Sequence, residues 1–241
     1  AIFKLASETD IPYFSNFVGT DRDPTAVRSM CCRLSLDLRE LVNASSGVFG
    51  AGDSTGSLGV VTLNLSKLGY IARVLTEYDP KDPNPQIWDR TDVLLNEYKI
   101  ELKVDLREEY ETAIKLVSEY PELHSKILIE LESKSDESKL RIYSILLIYF
   151  LELAKKSLVI KRGVVQESME AGLLPYTQRY LGTFVNHFNT IGVNAGHEMC
   201  LNMLDEGIES DEGKKLAEYT LNLVLEKLTK RLETKYNSNN S

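Results

Sequence analysis

The run VVTLNL at positions 60–65 constrains the fold of this chain more than any other feature. A glycine-rich loop, GAGDSTGSLG, leads straight into it, and Ser66, a residue suited to cap a helix, follows it. A short, nearly continuous apolar run rich in β-branched residues reads as a strand buried on both faces, the pattern of parallel sheets. A helix is then expected from Ser66 to about Glu77.

The rest of the chain continues the alternation. Asp23-Pro24 carries the signal of a helix start, with helix expected to about Ser29; the type of 33–41 stays open, because its leucines fit both periods. Three prolines break 78–86. Apolar residues at three- and four-residue steps predict helix over 91–120, continued over 122–131. Residues 132–139 read as a solvated linker, and 141–172 as a long helix ending at Gly172. A turn at 173–176, a short strand over 188–193 and helices over 196–206 and 210–236 complete the reading. The order is α/β with a large helical share.

The net charge of −8 argues against a broad basic surface for duplex DNA, which needs clustered Lys and Arg. A nucleotide ligand stays open, because backbone amides can hold phosphate on an acidic protein. Three cysteines, two of them adjacent, make no disulfide framework, so reduced thiols and a cytoplasmic location are expected. The apolar run at 142–153 contains Glu152 and is too short to span a bilayer, which takes ~20 residues, so no membrane association is expected. The chain starts without Met and ends in a polar tail, KYNSNNS, so both ends read as edges of a larger protein.

Several groups could carry chemistry. Cys31 and Cys32 sit side by side in RSMCCRLSL; a lone thiol is more often core than reactive, and no adjacent His signals a thiolate nucleophile. The glycine-rich loop lacks the Gly-Lys-Ser/Thr ending of a phosphate loop and precedes a strand, so close backbone approach is its simpler reading. Asn64, a carboxamide in a strand built for burial, needs partners: a neighbouring loop, or a ligand at the strand's carboxyl end. His187, His197 and Glu198 are crowded together, but without metal-ligand spacing. Asn189 and Thr190, ahead of a helix start, would suit phosphate binding by exposed amides. Cys200 reads as a core residue.

Three stretches then converge on one family. PYFSNFVGTDRDPTAVRSMCCRLSLDLREL, GVFGAGDSTGSLGVVTLNLSKLGYIA and ELAKKSLVIKRGVVQESMEAGLLPYTQRYLGTFVNHFNTIGVNAGHEMCLN resemble the catalytic domain of anaerobic (class III) ribonucleoside-triphosphate reductases. The resemblance implies a ten-stranded α/β barrel with a cysteine-bearing finger loop. It implies reduction of ribonucleoside triphosphates by glycyl- and thiyl-radical chemistry, with the family's thiyl cysteine matching Cys32 and Cys31 as its neighbour. Ser57 aligns with a position near the ribose, and Asn64 follows in the same strand; both are expected to line the site. The implied partners are the nucleotide, a radical S-adenosylmethionine/iron–sulfur activase and a second copy in a homodimer.

The family's glycyl-radical segment, its structural zinc site and its ATP-binding regulatory domain have no counterpart in 1–241, so the chain is expected to bind none of these cofactors itself. The resulting division is a barrel segment over 1–77, a helical insertion over 78–141 and a second barrel segment over 142–241. Two other readings stay open: a helical interaction module centred on 91–120, and a glycyl-radical enzyme acting on another substrate.

Overall fold

A computed structural model describes residues 27–29, 35–37, 56–82, 84, 86–90, 102–133, 135, 137–185 and 187–237. Cys31 and Cys32 lie outside the described residues, as does the 91–101 part of the expected helix. The elements are β1 (Val27–Ser29), β2 (Ser35–Asp37), β3 (Gly56–Asn64), α1 (Leu65–Glu77), β4 (Ile87–Arg90) and β5 (Leu102–Asp105), followed by α2 (Leu106–Ser118), α3 (Pro121–Ser133), α4 (Ser138–Glu170), α5 (Pro175–Tyr180), β6 (His187–Asn194), α6 (Gly196–Leu204) and α7 (Asp211–Asn237). The protein is α/β and mostly helical. Its described strands form three pairs: β1 with β2 and β4 with β5 antiparallel, and β3 with β6 parallel.

The chain divides into two compact units, residues 1–58 with 164–189 and residues 59–163 with 190–241. The first holds the β1–β2 pair and the end of α4. That helix stops as its glycine predicts: Gly172 takes a φ of 76°, its N–H donates to the Met169 carbonyl, and the Leu173 N–H donates to the Ser168 carbonyl. In the same unit the rings of Phe184 and His187 meet edge to face at 5.3 Å.

The second unit contains the core. Leu65, Leu68, Ile71, Ala72 and Leu75 repeat at helical spacing on α1 and bury one face of it. That face meets α6, where Gly69 allows the close approach: a Cβ there would sit 3.3 Å from the Met199 carbonyl oxygen. α2 adds Leu106, Ala113 and Val117, and α4 adds Ile142, Tyr143, Leu146, Leu147 and Leu151. The apolar face of α2, at the end of the stretch read as a possible interaction module, is thus used within the chain's own core. Tyr143 is fully buried, shares a hydrogen bond of 3.2 Å with Thr220 on α7, and has its phenol pKa pushed up to about 12 by burial.

Four local expectations need correction. Residues 27–29 are strand, not helix: pairing with 35–37 outweighs the Asp-Pro start signal. Of the helix expected over 91–120, the described part is strand over 102–105 and helix from Leu106. Residues 102–105 pair with 87–90 instead, and Asp105 ends the strand by accepting the Arg107 N–H at 2.9 Å. The leucine spacing that suggested one long helix fits both structures. β3 is longer than 60–65 and is buried on one face only: Leu63 packs into the core, while Val60, Thr62 and Asn64 are exposed. The cap of α1 is Asn64, not Ser66, because the Asn64 side chain reaches the Lys67 N–H at 3.1 Å. The described residues contain no ten-stranded barrel.

Candidate functional site

β3 and β6 are parallel neighbours, and each turns directly into a helix. Their carboxyl ends, with the starts of α1 and α6, therefore lie together, the place where open parallel sheets hold ligands. The two helices are fixed to each other by buried polar groups. Asn202 on α6 is 3 % exposed, and its Nδ2 donates to the carbonyl (3.0 Å) and hydroxyl (3.1 Å) of Ser66 in the first turn of α1. At the other end, the buried Arg73 guanidinium bonds Glu77 at 2.9 Å, Asp205 at 2.6 Å and the Asn202 carbonyl at 3.3 Å. A buried charge carries no stability without such partners.

A cleft of about 290 Å³ opens at the end of β3, lined by Thr62, Asn64, Lys67, Glu119, Tyr120 and Phe150 among others. Its electrostatics follow from the sequence. The first turn of α1 holds no acidic residue, and Lys67 adds an ammonium group at the positive end of the helix dipole. The carboxamide oxygen of Asn64 is used as a cap, and its amide nitrogen donates to no group among the described residues. Helix amides, Lys67 and the Asn64 amide nitrogen together suit an anionic group such as phosphate. Glu119 opposes them from the facing wall, and the rings of Tyr120 and Phe150, 6.0 Å apart, give the cleft an apolar side.

The start of α6 is built differently. Ala195 supplies its N-cap position in the left-handed conformation, with φ 58°, and makes no side-chain cap. Backbone strain of this kind costs about 1–3 kcal/mol and persists only where surrounding structure holds it. His197 in the first turn accepts the Ile208 N–H at 3.4 Å and lies 3.4 Å from Glu209, so it serves the loop after α6. Among the described residues no group of three or more His, Cys, Asp and Glu side chains could hold a metal, and no helix is long and apolar enough to cross a membrane.

The sequence-derived candidates are spread over both units. Ser57 is near the start of β3, in the first unit, and its Oγ is buried with no hydrogen-bond partner among the described residues. Asn64 is at the other end of the strand, in the cleft. Asn189 and Thr190 lie within β6; the residues at the turn into α6 are Asn194 and Ala195. Cys200 is a core residue as expected: fully buried, its Sγ donates to the Gly213 carbonyl at 3.5 Å, and burial pushes its thiol pKa up. Sequence reasoning missed Lys67, Glu119, Tyr120 and Phe150. Only Lys67 left a readable signal, a cation in a first helical turn where acids are preferred.

A family model described as anaerobic ribonucleoside-triphosphate reductase matches residues 1–241. No curated protein and no solved structure matches the chain.

Proposed function

Because the chain belongs to the anaerobic ribonucleoside-triphosphate reductase family, we propose that it is part of a catalytic domain that makes 2′-deoxyribonucleoside triphosphates by radical chemistry, with Cys32 as the thiol that becomes a thiyl radical. The family match over 1–241 carries this reading, and the local sequence supports it. Met30, Leu34 and Leu36 give Cys32 apolar neighbours. A thiyl radical needs a neutral thiol in a water-poor site, since a solvated thiolate has no hydrogen to exchange. S–H and activated C–H bonds are close in strength. The sulfur radical takes the 3′ hydrogen atom of the ribose near thermoneutrality: the C–H bond breaks, the S–H bond forms, and the unpaired electron moves to C3′.

On this reading Cys31 is the neighbouring thiol, and the strand-end groups place the nucleotide. Lys67, the α1 amides and the Asn64 amide nitrogen hold phosphate oxygens. Ser57, Asn189 and Thr190 are the other contacts proposed for the substrate. The β3–β6 pair is then one part of the family's ten-stranded barrel. A glycyl radical supplies the oxidising equivalent. It is installed by a radical S-adenosylmethionine activase on a segment outside 1–241, which also carries the structural zinc. The working enzyme is a cytoplasmic homodimer.

The test is nucleotide reduction by the complete enzyme carrying Cys32→Ser or Cys31→Ser. Loss of deoxyribonucleotide formation by at least about 10³-fold in Cys32→Ser is expected, since serine holds its hydrogen too strongly to form the radical. Full activity in both variants would overturn the assignment.

A further inference from the structure

The second unit has a larger cavity, about 680 Å³, at the opposite end of α1 from the strand-end cleft. That volume is in the range that holds small organic ligands. Its walls come from the end of α1, the residues that follow it, α2, α3 and the start of α4. Two observations describe the ligand it fits. The apolar wall includes an aromatic platform: the rings of Tyr78 and Tyr110 lie 4.7 Å apart, tilted by 38°, beside Leu128 and Leu131. The polar rim carries three carboxylates and two ammonium groups, a net charge of −1. Glu77, Asp79 and Glu132 face Lys81 and Lys139, and Lys139 is already paired with Glu77 at 3.2 Å. Among the described residues Asp79 and Glu132 have no ion pair, and the Asp79 carboxylate accepts only the Lys81 backbone N–H, at 3.0 Å. The negative end of the α1 dipole adds to this field.

We propose that this cavity binds a small organic cation, an alkyl- or arylammonium ion, with its body on the Tyr78–Tyr110 platform and its ammonium group toward Asp79 and Glu132. The rings hold the body whatever its head group, while the two carboxylates and the helix terminus favour a cation over a neutral or anionic molecule of the same shape. Three carboxylates without His or Cys, on a partly apolar wall, suit an organic ammonium head better than a metal ion. The inference rests on these residues alone and stands or falls independently of the radical chemistry.

The experiment uses three probes with one body and different heads: 2-phenylethylammonium, 2-phenylethanol and 3-phenylpropionate. Their binding to the chain is followed by calorimetry and by amide NMR shifts at neutral pH. The ammonium probe is expected to bind at least about threefold more tightly than the alcohol, with the propionate weakest and the shifts centred on Tyr78, Tyr110 and Leu128. Asp79→Asn and Glu132→Gln should each weaken it about two- to fivefold, and Lys81→Ala should tighten it by a similar factor. These three side chains are exposed, so the fold is kept, and Asn at position 79 retains the acceptor for the Lys81 N–H. Propionate binding as tight as the ammonium, no binding by any probe, or variants without effect would each overturn the proposal.

Discussion

Replacing Asn202 by Ala removes two hydrogen bonds that tie α6 to the first turn of α1. The side chain is buried, and its Nδ2 donates to the Ser66 carbonyl at 3.0 Å and to the Ser66 hydroxyl at 3.1 Å. A neutral hydrogen bond contributes about 1 kcal/mol net, and a buried polar group left without a partner costs about 1–3 kcal/mol. The Ser66 carbonyl lies in the first turn of α1 and keeps its helix bond, so only the hydroxyl is orphaned. Two lost bonds and one orphaned hydroxyl, on a residue that is only half-buried, sum to a loss of about 3 kcal/mol. Urea unfolding followed by circular dichroism reads it as a lower midpoint at unchanged slope. A double-mutant cycle with Ser66→Ala sharpens the result. That change removes one of the two bonds, so the coupling should be about 1 kcal/mol. The Arg73 bond goes to the Asn202 backbone carbonyl and survives in every member of the cycle. A loss below about 0.5 kcal/mol with no coupling would refute the reasoning that these contacts set the α1–α6 junction.

Tyr143 links stability to alkaline pH. Its folded pKa is raised from 10.0 to about 12 by burial, so its contribution is full below pH 10 and is lost as pH rises toward 12. Denaturation at stepped pH should show a decline of up to about 3 kcal/mol across that window, and Tyr143→Phe should flatten it. Ala195→Gly should stabilise the chain by up to about 1 kcal/mol, because glycine adopts the φ of 58° without strain, while Ala195→Val should destabilise it by about 1–2 kcal/mol. The two melting temperatures moving in the same direction would contradict that account of the turn.

Much of the fold was legible because burial and local signals agreed. The end of α4 at Gly172 needs only a residue that tolerates positive φ, and the start of α7 follows from Ser210, whose hydroxyl accepts the Gly213 N–H at 2.9 Å. Legibility failed where a local pattern fits two structures. Leu102 and Leu106 sit four apart, which suits a helix, yet Leu102 belongs to a strand fixed by antiparallel pairing with 87–90. The exposed face of β3 could not be foreseen from VVTLNL, because composition does not say how many layers cover a strand.

The site divides along the same line. Asn64 was recognised as a polar residue at a strand end, but its capping role depends on where α1 begins. Lys67, Tyr120 and Phe150 gather only through tertiary packing of elements far apart in sequence. Lys67 and the α1 amides gain their meaning from the parallel β3–β6 pair.

The most direct measurement on the central assignment is the isotope effect on turnover with 3′-deuterated ribonucleoside triphosphate in the complete enzyme. Abstraction of the 3′ hydrogen by the Cys32 sulfur predicts a primary effect with exchange of label into the protein thiol. The reverse result, an isotope effect near unity with turnover retained in Cys32→Ser, would contradict it.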